Sequence, residues 1–179
     1  ALKFAAKYPE KCIGVVSDCA FAKCDGMRKI MFRTWRHMAT SWGCSPEFAD
    51  HVVTQAVGAE YLDGPNGPGL IEMVRTIVGL NAPETVVQAC LAMENMDLRE
   101  DCKKISNPTL VITAKKDMLT PMETGSTGAG AQWVADNIPG CEMIVYEDIG
   151  HADLVECPEK TIASTIDFLH RAKEKVLGA

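Results

Sequence analysis

Apolar positions along this chain follow two periods. Short continuous runs appear three times, at 12–17 (Cys-Ile-Gly-Val-Val-Ser), around Leu110-Val111-Ile112, and around Met143-Ile144-Val145. Apolar runs of this length without alternation suit strands buried on both faces, as in a parallel sheet. Elsewhere the apolar residues recur at helical spacing. A helix is expected over 1–8, ended by Pro9. Residues 26–42 carry Met27, Ile30, Met31, Trp35, Met38 and Trp42 with Arg28, Lys29, Arg33 and Arg36 between them, which predicts a second helix. A third is expected over 46–58, with Ser45 as cap and Pro46 in its first turn. Further helices are expected over 70–80, 83–93, 98–105 behind Asp97, and 132–137. A last helix over about 159–176 carries the stripe Ile162, Ile166, Leu169 and Val176. Residues 63–69, rich in Gly and Pro, read as a loop.

This is an α/β pattern: strands at about 12–17, 109–114 and 142–146, with a helical excursion over 20–105. The last two strands are joined by a helical crossover and are therefore expected to be parallel and right-handed. Three short strands make a small sheet for such a pattern. Strands without alternation want both faces covered and neighbours on their edges, so the chain reads as the back part of a larger sheet. The opening helix has no capping residue before Ala1 and reads as one cut in the middle.

Composition narrows the choice. A chain of 179 residues, 47% hydrophobic, can bury an ordinary domain core. Its net charge of −6 comes without a basic stripe, which argues against nucleic acid or an anionic membrane as partner. No apolar run approaches the roughly 18–20 residues that span a bilayer. The eight cysteines include no C-x-x-C pair and no histidine cluster that would complete a zinc pattern. They read as buried free thiols of a reducing, cytoplasmic compartment, and no cofactor or metal is expected.

Two residues carry the candidate chemistry. Asp117 falls just past the second strand and His151 just past the third, where open α/β sheets place their sites. An acid and a histidine on adjacent strand ends can form a hydrogen-bonded pair. Asp18, at the end of the first strand, is the rival acid. A nucleophile is missing: Gly125-Ser126-Thr127-Gly128 has Thr at 124 and no strand leading into Ser126. Residues 125–130 lack the Lys-Ser/Thr of a phosphate loop. Trp35, Met31, Met38 and Trp42 are candidates to line a substrate pocket, the alternative being that they form the core of the helical excursion.

Three stretches carry a resemblance to a known family. "ALKFAAKYPEKCIGVVS" (1–17) resembles the helix after the nucleophile and the next strand of the α/β-hydrolases. "NPTLVITAKKDMLTP" (107–121) resembles their strand-and-acid segment, and "IGHADLVECPE" (149–159) their histidine loop. Within that superfamily, "AMENMDLREDCKKISNPTLVITAKKDMLTP" and "VADNIPGCEMIVYEDIGHADLVECPE" are similar to 3-oxoadipate enol-lactonase and its esterase-like relatives. The resemblance implies the C-terminal part of an α/β-hydrolase fold, three parallel strands with flanking helices (1–19 and 106–179), plus a helical cap (20–105). It implies Asp117 as the acid and His151 as the base. The serine of Gly-x-Ser-x-Gly would lie about six residues before Ala1. The implied function is the acid/base-and-cap portion of a serine hydrolase that cleaves a small-molecule carboxylic ester or lactone. Such a chain would be inactive alone. An N-terminal α/β-hydrolase fragment, or a second chain carrying Gly-x-Ser-x-Gly, would supply the nucleophile. An acyltransferase of the same fold and a non-catalytic interaction module are the alternatives.

Overall fold

The computed structural model describes residues 1–178. Three strands, β1 (Val15–Asp18), β2 (Thr109–Ala114) and β3 (Glu142–Tyr146), form one parallel sheet in the order β1-β2-β3. Val15 stands opposite Thr109, and Ile112 opposite Ile144. Every residue of the central strand β2 is buried, which is why its sequence shows no alternation.

Helices cover both faces of the sheet. Val111 points into a cluster with Leu2 and Ala5 of α1 (Leu2–Lys7), Cys102 of α7 (Arg99–Cys102), and Val134 of α8 (Ala131–Asn137). Leu110 and Ile112 point the other way, onto Phe168 and Ala172 of α10 (Pro158–Leu177). The alternating direction of successive side chains on one strand thus feeds two separate cores.

The expected stripe on α10 is not its buried face. Thr161, Phe168 and Ala172 face inward, whereas Ile162, Ile166, Leu169 and Val176 are each 40% or more exposed. Helical spacing identified an apolar stripe but not which stripe meets the sheet. The sheet selects the face whose small Ala172 and flat Phe168 ring allow close approach.

Between β1 and β2 the chain runs through α2 (Gly26–Trp42), α3 (Pro46–Ala56), α4 (Ala59–Leu62), α5 (Gly67–Gly79), α6 (Pro83–Asn95) and then α7. The side chains of Asp25 and Ser45 cap α2 and α3 by accepting hydrogen bonds from the backbone N–H groups of Arg28 and Phe48. The expected loop over 63–69 is shorter than its composition suggests, because Gly67 and Pro68 already form the first turn of α5. Phe21, Phe32, Trp35, Phe48 and Cys90 form this region's own apolar cluster. Leu98, Cys102 and Ile105 instead join the cluster against the sheet. By packing, α7 therefore goes with the sheet layer, although the division at 105 assigns it to the cap. Among the described residues no helix is long and apolar enough to cross a membrane.

Candidate active site

The site is built from loops at the C-terminal ends of the strands. β2 ends at Ala114, and the chain turns through Lys115 and Lys116 into Asp117. The Asp117 carboxylate folds back on its own loop: Oδ1 accepts from the backbone N–H of Leu119 (2.9 Å) and of Thr120 (2.7 Å). Such local capping is what short acidic side chains do after a strand. Oδ2 accepts from the Thr120 hydroxyl at 2.7 Å and lies 3.1 Å from Nδ1 of His151. His151 follows β3 and Gly150, on the loop that enters α9 (Asp153–Glu156).

The electrostatics assign the proton. Burial works to raise the pKa of Asp117, whose side chain is wholly buried. The hydrogen bond from His151 and those from Thr120 outweigh it and hold the carboxyl below its ordinary value. An ionised carboxylate only accepts, so the Nδ1 beside it carries a hydrogen. Nε2 is then the free base, and His151 lines the cleft described below. The arrangement is that of a histidine held in one tautomer by a buried acid.

Thr120 was not visible as a site residue in the sequence. Its hydroxyl sits 2.6 Å from the carbonyl oxygen of Cys19, 2.7 Å from Asp117 Oδ2 and 3.0 Å from His151 Nδ1. It ties the end of β1 to the acid and to the imidazole. Cys19 adopts a left-handed backbone (φ 41°) immediately after β1, and its carbonyl competes with Asp117 Oδ2 for the single Thr120 hydroxyl proton. That conformation is costly for a residue with a side chain, by roughly 1 kcal/mol or more. A Thr three residues after the acid was the one available clue, since that spacing favours a turn capped by the Asp side chain.

Asp18 does not hydrogen-bond His151. It faces Asp153 instead, and burial followed by the charge of Asp153 pushes its carboxyl up to about 6. Asp153 is itself buried, with Oδ1 accepting from the Leu154 N–H and Oδ2 from the Thr161 hydroxyl. The buried Oδ1 of Asp18 has no hydrogen-bond partner. A proton that Asp18 holds against Asp153 contributes to its raised value.

Donor atoms of Cys19, Asp117 and His151 lie within 4.8 Å of one another, as do those of Asp18, Cys19 and Asp153. The first set does not suit a cation, because both Asp117 oxygens are already engaged, Oδ1 by two backbone N–H groups and Oδ2 by His151 and the Thr120 hydroxyl. The Cys19 thiol, common to both sets, is pushed far up by burial and then by the charge of Asp117, which keeps it from becoming a thiolate ligand.

A cleft of about 1230 Å³ opens between these loops and the helices above. Phe32 and Trp35 of α2, with Val86, Ala89, Cys90 and Met93 of α6, form an apolar wall. Thr120 and His151 form the polar end, beside Leu119. Of the four pocket candidates, Trp35 lines this cleft. It is held by edge-on rings of Phe32 (5.6 Å, 88°) and Phe48 (6.0 Å, 79°). Met31 and Met38 pack against the cap cluster and are not among the residues lining the cleft, and Trp42 lies 57% exposed at the end of α2. Their helical spacing was right and puts them on the same side of α2 as Trp35, but which of them reaches the cleft is set by the neighbours packed around each.

An acid–histidine pair at strand ends beneath helices defines the class, a three-layer α/β fold with a hydrogen-bonded histidine. Comparison with known proteins identifies the fold. No family model matches the chain. Among curated proteins, it is 24% identical over 174 residues to a pimeloyl-[acyl-carrier protein] methyl ester esterase of Neisseria meningitidis, covering 94% of this chain and 64% of that one. It is 33% identical over 72 residues to a human monoacylglycerol lipase, covering 40% of this chain and 20% of that one. Among solved structures, the enol-lactonase from Burkholderia xenovorans superposes with a TM-score of 0.81 at 21% identity, over 94% of this chain and 60% of that one. A thermophilic esterase from Thermogutta terrifontis gives 0.79 at 24% identity, over 96% and 61%. These likenesses show that the chain has an α/β-hydrolase fold. The chain spans less than two thirds of the length of these relatives.

Proposed function

We propose that this chain supplies the acid, the base and the cap of a serine hydrolase that cleaves a carboxylic ester or lactone with an apolar acyl part. The observation that carries the reading is the His151 imidazole, fixed at Nδ1 by Asp117 and Thr120 and lining an apolar cleft. Among the described residues the only hydroxyl hydrogen-bonded to His151 is that of Thr120, on the wrong nitrogen for a nucleophile. The nucleophilic serine would therefore enter the cleft from outside these 179 residues, on a further segment of the polypeptide or on a second chain carrying Gly-x-Ser-x-Gly. Relatives named as esterase, lipase and enol-lactonase support the reaction class.

In this reading the serine proton passes to His151 Nε2 as the serine oxygen bonds to the substrate carbonyl carbon. The Asp117 carboxylate stabilises the imidazolium. When the tetrahedral intermediate collapses, the carbon–oxygen bond to the leaving group breaks and the proton moves from Nε2 to that oxygen. Water repeats the sequence to free the acid. In a lactone the leaving oxygen stays on the acyl chain throughout, and the water step breaks only the acyl–serine bond, releasing a single ring-opened acid.

A fluorophosphonate probe tests the proposal. It is expected to leave this chain unlabelled and to label the serine-bearing segment or chain when the two are together. Stoichiometric labelling within residues 1–179 would overturn the assignment of the nucleophile. Acyl transfer uses the same groups, and a competing alcohol acceptor in the assay separates it from hydrolysis.

A further inference from the structure

His151 is fixed by more than its side chain. The peptide groups on both sides of it are tied to the cap. The N–H of Ala152 donates to the carbonyl of Ala56, at the end of α3, at 2.9 Å. The N–H of Gly150 donates to Oε1 of Glu156 at 3.0 Å, and the other oxygen of that carboxylate, Oε2, accepts from the N–H of Gly58 at 3.1 Å. One side chain thus joins the residue before the histidine to the turn between α3 and α4. The fit is close. A Cβ on Gly58 would lie 2.7 Å from Glu156 Oε2, and one on Gly150 would lie 2.8 Å from the nitrogen of Gly58. The same turn reaches the acid loop, where Lys116, next to Asp117, pairs with Glu60 of α4 at 2.9 Å.

The geometry points to Glu156 as a positioning residue that sets the His151 imidazole against Asp117 and couples it to the cap. The inference rests on His151 acting as the base of the proposed hydrolase. Both N–H groups need an acceptor, and a carboxylate is the one side chain of this length that offers two. Without it, two inward-facing amides lose their partner and the loop carrying His151 gains freedom at the point where the imidazole must meet a serine. Displacement of a catalytic group by about 1 Å costs on the order of 100-fold in rate.

The test is made on the protein in its active form, with the serine present, using p-nitrophenyl butyrate and counting active sites with a phosphonate. Glu156→Ala is expected to lower kcat per titrated site by about 100-fold with KM little changed. Glu156→Gln, which keeps one acceptor, is expected to lose about 10-fold. Gly58→Ala, which leaves the carboxylate in place but pushes it off the turn, should fall between them. A purely structural role would lower the titrated fraction and leave the rate per site alone. Wild-type kcat per site in both Glu156→Gln and Gly58→Ala would overturn the inference, whether or not Glu156→Ala folds. His151→Ala run in parallel separates the two readings. If it retains activity, the hydrolase reading falls. If it loses activity while the Glu156 and Gly58 variants keep theirs, only the clamp falls.

Discussion

The loops at the strand ends and the helical excursion above them are held by different forces. Around Asp117 each atom has an assigned partner: four polar contacts on one carboxylate, three on the Thr120 hydroxyl, and backbone ties on both sides of His151. The cap is held by filled volume. Phe32 and Phe48 meet Trp35 edge-on, Phe21 packs tilted (45°) on Phe32, and ion pairs such as Arg36–Glu94 (2.7 Å) and Arg75–Asp50 (2.7 Å) tie its helices at the rim. Volume filling tolerates exchange of one apolar residue for another, whereas a hydrogen-bonded constellation does not. One region can vary with substrate while the other keeps its atoms in place.

The largest expected effect is at the site. His151→Ala and Asp117→Asn should each lower kcat/KM of the active protein by about 10⁴-fold. The melting temperature of His151→Ala should stay close to that of the parent. Comparable turnover in both variants would erase the distinction between the two regions.

The contrast also governs what could be read from the chain. β2 was legible because six consecutive residues are buried, which leaves an unbroken apolar run in the sequence. Asp117 and His151 were legible because they follow such runs directly. Thr120 and Glu156 were not, since their roles depend on backbone groups of Cys19 and Gly58, which are 101 and 98 positions away. In the cap, periodicity located α2 with the same limits as the structure but did not choose among Met31, Trp35, Met38 and Trp42. The inward face of a helix is set by its neighbours, and nothing in a single helix records which of them will be there. The same limit reversed the expected face of α10.

The next effect should appear in the cap. Trp35→Ala removes the ring between Phe32 and Phe48, and is expected to cost about 3–5 kcal/mol of stability in urea unfolding. Trp35→Phe should cost much less, because the apolar volume is partly kept. Equal losses from the two would mean that Trp35 is held by specific partners, as the site is.

Thr120→Val tests the opposite logic with a near-isosteric change. It removes the one hydroxyl proton that the carbonyl of Cys19 and Asp117 Oδ2 share. A loss of about 1–3 kcal/mol is expected, together with reduced turnover. A neutral result would show that filling space suffices at the site too.

The smallest effect concerns Asp18 and depends on pH. Its folded value of about 6 lies above the ordinary 3.8. The folded state therefore binds the extra proton, and the stability it brings is full below about pH 4 and lost as pH rises through 6. Asp18→Asn should match the parent at pH 4 and exceed it above pH 6, by about 1 kcal/mol once solvent screening is allowed for. Asp117 has the reverse sign: its lowered value gives stability that is lost as pH falls below the ordinary carboxylate range. Urea midpoints at pH 4 and pH 8 distinguish the two, and a pH-independent difference for Asp18→Asn would rule out the proton held by Asp18.

The Glu156 clamp has a consequence for the order of folding. Closing it joins residues 98 positions apart, so the chain must order that whole loop before the two hydrogen bonds form. Contacts of such long range are made late, after the local helices have formed. The histidine would then reach its working position only when folding is nearly complete, and would lose it first in any partial opening. Amide hydrogen exchange at Gly58 and Gly150 is accordingly expected to be faster than at Val111 or Ile112 in β2, with the gap measuring how often the folded chain sets its base aside.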